Sequence, residues 1–245
     1  MLKTEKPLIE VFGRRPGRSQ LALKGAELAG VGSQSRILEV GCAFGDTARL
    51  LAETYGCAVT GIDVVREYIE RAVERSRLAN GQVEFVVADA AKLPFPSQSF
   101  SHVICEAVFS LLSDKEAVVA EFHRVLHEHG RVIINDFILK HRIAENIQKK
   151  MEFVPCFYGV KTAWEYTRLF SQNGFRQLSF SDHSTELART AMWLSKAYGI
   201  SIKELDRLFV SLLSQGNCQC ENLHHSRRFF QEARLGYGQF IFEKI

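Results

Sequence analysis

The sequence predicts an α/β fold built on a doubly wound, mostly parallel sheet. Short apolar runs recur along the chain, and amphipathic helical patterns separate them. The first run, 37–40, ends in the turn Gly41-Cys42-Ala43-Phe44-Gly45, and a helical pattern follows. The second run ends at an acid, Asp63, 22 residues after Gly41. A strand, a glycine turn, a helix N-terminus and an acid at this spacing are how such sheets hold nucleotide-like ligands.

Length and composition restrict the class of protein. A chain of 245 residues with 46% hydrophobic and 24% charged residues is typical of one soluble domain with an elaboration. The net charge of +3 is too small to indicate nucleic-acid binding. Apolar runs stay shorter than the roughly 18 residues of a membrane span, and residues 1–7 lack the apolar core of a signal peptide. With six scattered cysteines, these features predict a reduced, cytoplasmic protein.

The N-terminal part is predicted to be a cap, 1–32, on a single domain that spans 1–245. Residues 1–17 look irregular because Pro16-Gly17 interrupts the chain. Ser19 is placed to cap a helix that ends near Gly30 or Gly32.

Seven strands follow from the apolar runs. They are predicted at 37–40, 58–62, 83–87, 101–105, 132–137, 176–181 and 239–244.

Helices are predicted between and beside these strands. After the cap helix they cover 47–55, with Asp46 as N-cap, then 68–79, 114–128, 138–150, 161–173, 185–198, 202–213 and 227–233.

The acids beside the glycine turn indicate which ligand it holds. Glu39 and Asp46 bracket the turn, and two negative charges would repel a pyrophosphate. A ligand that carries an ammonium and a sulfonium would gain from the same charges. The turn therefore favours S-adenosylmethionine over NAD, and an NAD-dependent enzyme is the disfavoured alternative.

Three segments carry a resemblance to a known family. They are Glu39-Val40-Gly41-Cys42-Ala43-Phe44-Gly45, the Leu-Pro-Phe…Ser-Phe segment 93–100, and the Glu-x-x-Arg-Val-Leu segment that begins at Glu121. The chain resembles the class I S-adenosylmethionine-dependent methyltransferases, in the small-molecule, ubiquinone-biosynthesis-like branch. The middle glycine of the first motif is replaced by Ala43, and alanine still lets the backbone come close to a ligand.

The resemblance implies a fold, a cofactor and a set of contacts. The fold would be Rossmann-like, with seven strands and an antiparallel last strand. The cofactor would be S-adenosylmethionine, the product S-adenosylhomocysteine, and the partner a small-molecule acceptor, with no nucleic acid and no membrane. The implied cofactor-binding residues are Glu39, Gly41, Cys42, Ala43, Gly45, Asp63, Val64, Asp89, Ala90 and Glu106.

These residues have different expected roles. Asp63 would accept both ribose hydroxyls, and Val64 would lie against the adenine. Asp89 would accept the adenine amino group while the Ala90 N–H donates to a ring nitrogen. Glu106 follows the fourth strand, at the end that faces the methyl donor. Simple helix caps or solvated loop acids are the alternatives for Asp63 and Asp89.

The catalytic residues are not determined by the sequence. A general base is needed only for an oxygen or acidic carbon acceptor, and the candidates are Glu106, Asp136, His141 and His183. Many relatives carry a histidine pair where this chain has Ser110-Leu111. A catalytically inactive S-adenosylmethionine-binding partner protein is therefore an alternative to the enzyme.

A long segment, 182–235, separates the last two predicted strands, where relatives have a near-direct hairpin. We expect it to form a helical insertion that closes the acceptor pocket as a lid. It contains Cys218-x-Cys220 followed by His224 and His225. This spacing is not that of established zinc sites, so no metal site is predicted. A thiol or metalloid methyltransferase that uses Cys218 and Cys220 is a further alternative.

Overall fold

The computed structural model describes residues 16–76, 82–151, 158–199, 201, 204, 228–229 and 232–245. Most of this chain folds around one mixed sheet. Its strands within the described residues are β1 (Arg36–Val40), β2 (Ala58–Asp63), β3 (Val83–Val87), β4 (Phe100–Glu106), β5 (Leu126–Leu139), β6 (Lys161–Thr162), β7 (Phe175–Asp182) and β8 (Leu235–Lys244).

The strand order is β3-β2-β1-β4-β5-β8-β7, and the short β6 pairs with the end of β5. Pairs among β1 to β5 are parallel, whereas β8 runs antiparallel to both β5 and β7. The predicted Rossmann-like sheet with an antiparallel last strand is therefore confirmed, with β6 as a two-residue addition. The order reverses between β1 and β4, so a crevice opens at their carboxyl ends.

Helices cover both faces of the sheet. Those described are α1 (Arg18–Leu28), α2 (Asp46–Tyr55), α3 (Arg66–Ser76), α4 (Lys115–Val125), α5 (Glu145–Lys149), α6 (Ala163–Gln172) and α7 (Ser184–Tyr198), with a 3₁₀ helix at Phe109–Leu111. One core cluster joins the strands to α4 and α6, and a second joins them to α1 and α2. Burial of these two apolar faces is the main force that holds the layers together.

Several predicted boundaries were wrong because tertiary pairing decided them. The helix predicted at 138–150 is reduced to α5, since β5 continues to Leu139 to pair with β8 along its length. The helix predicted at 114–128 ends at Val125, because Leu126 already pairs with Phe100 in β4.

Helix starts also differ from prediction, as three cases show. The helix expected from Lys161 begins at Ala163, after Thr162 closes a capping box with Glu165. Helices α1 and α2 use Gly17 and Gly45 as N-caps, in left-handed conformation, instead of Ser19 and Asp46. Glycine adopts that conformation without a steric penalty.

The described part of the chain contains no helix with the length and apolar character that a membrane crossing requires. Of the helix predicted at 202–213 the structure describes only residue 204. Of the helix predicted at 227–233 it describes residues 228, 229, 232 and 233, and all four are helical.

Candidate functional site

A cavity of about 460 Å³ opens at the carboxyl ends of β1, β2 and β4. It lies where the strand order reverses, and its size is within the range of small-ligand sites, roughly 300–1,000 Å³. Its walls include nine of the ten residues predicted to bind the cofactor. These are Glu39, Gly41, Cys42, Ala43, Asp63, Val64, Asp89, Ala90 and Glu106.

The glycine turn has a backbone conformation that residues with a side chain rarely adopt. Gly41, Ala43 and Gly45 have φ angles of 68°, 45° and 72°. A Cβ at Gly41 would lie 2.5 Å from both γ-carbons of Val108. Ala43 is unusual because an L-residue in this region costs about 1–2 kcal/mol. The turn therefore brings the backbone to the cavity at the expense of local strain at Ala43.

Asp63 fixes this turn from the end of β2. Its Oδ2 accepts a hydrogen bond from the Ala43 backbone nitrogen at 3.0 Å, and its Oδ1 accepts one from the Val65 nitrogen at 2.9 Å. A carboxylate offers about four acceptor positions. Asp63 can thus hold the turn and still accept hydroxyl groups of a ligand.

Two buried carboxylates face the cavity from neighbouring strands. Glu39 in β1 and Glu106 in β4 are both nearly inaccessible to solvent. The Asn135 side-chain amide donates to Glu106, and Asn135 Oδ1 accepts from Gln239 Nε2 at 2.9 Å. Gln239 Nε2 also donates to the Leu21 carbonyl at 2.9 Å. A polar network thus links the cavity wall through β5 and β8 to α1.

The opposite wall follows β2 and β3. Val64 is 66% exposed, an apolar side chain at the cavity. The Asp89 Oδ1 accepts the Ala91 nitrogen at 2.9 Å, which closes the loop after β3, and Ala90 is buried beneath it. This wall has the apolar surface and the polar edge that a flat heteroaromatic ring requires.

Gly45 and Asp46 have other roles. Gly45 does not line the cavity: it is buried under the turn, where a Cβ would lie 2.3 Å from the Phe85 ring. Asp46 reaches the cavity wall, but its carboxylate pairs with Arg49 and, at 3.4 Å, with Arg75. Asp46 is therefore an exposed acid directed to two arginines, and Glu39 is the buried acid beside the turn.

The four candidate bases lie in four different environments. Asp136 is fully buried, accepts the Ser110 hydroxyl at 2.8 Å and the Ser110 and Phe137 nitrogens at 2.6 Å, and burial raises its pKa to about 6. His141 is exposed and lines neither cavity that we describe. His183 precedes α7, and partial burial lowers its pKa. Of these four candidates, only Glu106 lines the 460 Å³ cavity directly.

Ser110 lies where the resemblance implied a histidine pair. The sequence indicated only the loss of a polar group, whereas the structure places a buried serine hydroxyl against a buried aspartate. No local pattern connects Ser110 to Asp136, 26 residues later in the chain.

The cysteine thiols near the cavity are unreactive in this arrangement. Burial raises the pKa of Cys42 and of Cys105 far above their usual range, and the neighbouring carboxylates raise both further. A thiolate is the reactive form of cysteine. Cys42 therefore contributes to the cavity wall as a small apolar side chain.

A second cavity, of about 1090 Å³, adjoins the first. Leu111 and Leu112 line both, so the two meet at the end of the 3₁₀ helix. The second cavity is walled by α4, α5, β6 and α6 and carries Lys115 and Lys161. Sequence patterns gave no signal for either lysine, because neither lies in one of the recognised motifs.

The described residues of the predicted insertion line neither cavity. Its first part forms α7, which packs against β8. Cys218, Cys220, His224 and His225 lie outside the described residues, so the lid and the thiol hypotheses remain untested. Within the described residues, no cluster of three metal-ligating side chains occurs.

Comparison with known proteins agrees with this geometry. A methyltransferase-domain family model matches residues 37–130. The O-methyltransferase resE of Aspergillus sclerotiorum is 30% identical over 70% of the chain, which spans 66% of that protein. The sarcosine/dimethylglycine N-methyltransferase of Halorhodospira halochloris is 28% identical over 87% of the chain, which spans 77% of that protein.

Solved structures show the same fold. A phosphoethanolamine N-methyltransferase of Haemonchus contortus, solved with phosphomonomethylethanolamine and S-adenosylhomocysteine, superposes with a TM-score of 0.74 at 18% identity. The match covers 94% of this chain and 53% of that one.

Proposed function

The chain belongs to the class I S-adenosylmethionine-dependent methyltransferases, and we propose that it transfers the methyl group from a donor in the 460 Å³ cavity to a small-molecule acceptor. The family uses S-adenosylmethionine as methyl donor. The branch within the family stays open, because the relatives include both O- and N-methyltransferases.

The observation that carries the proposal is the set of groups gathered around one cavity. Buried Glu39 and Glu106 suit a ligand with an ammonium and a sulfonium, because opposite charges attract strongly where water is excluded. Asp63 suits two ribose hydroxyls, and the wall formed by Val64, Asp89 and Ala90 suits adenine. A pyrophosphate would face these carboxylates, which supports S-adenosylmethionine over NAD.

The chemistry divides between cofactor and protein. The bound cofactor supplies an activated methyl group on its sulfonium. The chain holds the donor through the glycine turn and Asp63, excludes water with the apolar walls, and orients an acceptor for in-line attack.

The acceptor would approach from the second cavity, which meets the first at Leu111 and Leu112. Glu106 is the carboxylate placed to accept a proton at the cavity wall. Asp136 is committed to Ser110 and Phe137, so we propose a positioning role for it.

The test combines binding and turnover. Calorimetric titration of the full chain with S-adenosylhomocysteine and with NAD should show binding of the first alone. A radiolabelled methyl-transfer screen over amines, hydroxyls, carboxylates and thiols should then find an acceptor.

Folded protein that binds NAD instead of S-adenosylhomocysteine would overturn the cofactor site. Binding of S-adenosylhomocysteine without transfer to any acceptor class would overturn the enzymatic role and favour the inactive-partner alternative.

A further inference from the structure

Two lysines lie in the second cavity without an ion-pair partner among the described residues. Lys115 begins α4 and Lys161 lies in β6, and both line the second cavity. Partial burial lowers the pKa of Lys115 to about 8: the Asp136 carboxylate opposes this shift, and the charge of Lys161 adds to it. Two ammonium groups that repel each other in a partly desolvated cavity would both gain from a bound anion.

The Lys115 ammonium is fixed by the protein. Its Nζ donates to the Leu112 carbonyl at 2.6 Å and to the Ser110 carbonyl at 3.2 Å, and it lies 5.9 Å from the centre of the Phe109 ring. An ammonium has three donor positions, so one remains for a ligand. A Cβ at Gly159 would lie 2.9 Å from this nitrogen, so backbone packs closely beside it.

The carboxylates that line this cavity mostly have partners other than the two lysines, and the charge of Glu145 also acts on Lys161. Asp114 accepts the Ala117 nitrogen as the cap of α4, and Glu145 pairs with Lys149 at 3.0 Å. Glu165 closes the capping box with Thr162. The exposed Glu116 lies on the rim.

The same cavity has an apolar side. Leu111 and Leu112 form its border with the cofactor cavity, and Trp164, 64% exposed, lies at the opening with Arg168 stacked over its ring at 5.3 Å. An exposed tryptophan on a cavity wall offers a flat surface for an apolar ligand body.

We propose that the second cavity is the acceptor site and that Lys115 and Lys161 bind an anionic group of the acceptor, a phosphate or a carboxylate. This inference rests on the proposed function, because it assumes that the acceptor reaches the methyl donor across Leu111 and Leu112. The acceptor class is then a small amphipathic anion with its reactive atom directed to the cofactor cavity.

The test uses the full chain saturated with S-adenosylhomocysteine and three probes of equal ring size. Phenyl phosphate and benzoate carry the two candidate anions, and benzyl alcohol is neutral. Calorimetric titration should give a Kd below about 1 mM for at least one anion. The neutral probe should bind at least tenfold more weakly, and the stronger anion identifies the group.

Variants then assign the binding to the lysines. Lys161→Gln should weaken the anion about tenfold or more, the loss expected for one charge-assisted hydrogen bond, and Lys161→Arg should retain most of the affinity. Lys115→Gln should weaken anion binding as Lys161→Gln does. Lys161 is the safer test, because Lys115 is partly buried and its replacement can also disturb the fold. The control is Lys150→Gln, an exposed lysine that does not line the cavity, and its affinity should equal that of the wild type.

Equal affinity for benzyl alcohol and the anions, or equal anion affinity in Lys161→Gln and Lys150→Gln, would overturn the inference. Titration of S-adenosylhomocysteine into each variant separates this failure from that of the proposed function. A wild type that does not bind S-adenosylhomocysteine would refute the proposed function. A wild type that binds S-adenosylhomocysteine but no anion would refute only the acceptor site.

Discussion

The Asp63 carboxylate accepts a hydrogen bond from the Ala43 backbone nitrogen at 3.0 Å, and so couples the end of β2 to the glycine turn after β1. The same carboxylate caps the Val65 nitrogen. Two neighbouring parallel strands are thereby tied together at the cavity edge. The acid that the spacing assigns to a ribose also holds the turn in place.

Asp63→Ala should therefore weaken S-adenosylhomocysteine binding by tenfold or more. Hydrogen bonds to a charged group contribute about 1.5–3 kcal/mol each, and the turn loses its support as well. Asp63→Asn keeps one oxygen acceptor and should lose less affinity. Calorimetry measures both, with Glu53→Gln, an exposed change on α2, as control. Unchanged affinity in folded Asp63→Ala would refute the ribose assignment.

Gly41→Ala should abolish cofactor binding and destabilise the fold. The new Cβ would lie 2.5 Å from Val108, at a φ angle of 68° that L-residues avoid. The matched control is Gly32→Ala, where a Cβ would meet nothing within 4 Å. In urea denaturation, the free energy of unfolding of Gly41→Ala should be lower than that of the wild type by about 1–2 kcal/mol or more. For Gly32→Ala we expect a change of about 0.5 kcal/mol or less. Equal stability and binding in both variants would contradict the clash.

Ala43→Gly should stabilise the protein. Relief of the left-handed alanine gains about 1–2 kcal/mol, and the greater flexibility of unfolded glycine costs about 0.5–1 kcal/mol. The free energy of unfolding should rise by up to about 1.5 kcal/mol in urea denaturation. The Asp63 bond uses the backbone nitrogen, so S-adenosylhomocysteine affinity should stay within a few fold. A destabilised Ala43→Gly would mean that the methyl group contributes packing that outweighs the strain.

Asp136 should make the wild type less stable as pH rises from about 4 to 6. Burial raises its pKa to about 6 from the ordinary value of 3.8, so the folded state binds more protons than the unfolded state in this window. Stability is then full at low pH and is lost as pH rises. A shift of about two pKa units corresponds to roughly 3 kcal/mol.

The measurement compares wild type with Asp136→Asn, which keeps the shape but does not titrate. Urea denaturation at fixed ionic strength, at steps between pH 4 and 7, isolates the aspartate from all other groups. The free energy of unfolding of the wild type should fall relative to the variant as pH rises. If the free energy of unfolding depends on pH in the same way in both proteins, the pKa of Asp136 is not raised by burial.

The sequence alone determined the sheet and the cofactor side of the site. Apolar runs between helical patterns give parallel strands, and the acid 22 residues after Gly41 falls at the end of β2. These signals are local, because each motif lies in one strand and the turn after it. Nine of the ten predicted cofactor residues accordingly line one cavity.

The acceptor side was decided only by tertiary structure. Ser110 meets Asp136, and Lys115 and Lys161 line one cavity, across separations of 26 and 46 residues that no motif connects. The length of β5 was set in the same way, by its pairing with β8 from more than 90 residues away. Periodicity indicates which face of an element is apolar, whereas long-range pairing decides which side chains meet. The second cavity, our proposed acceptor site, depends on that long-range pairing.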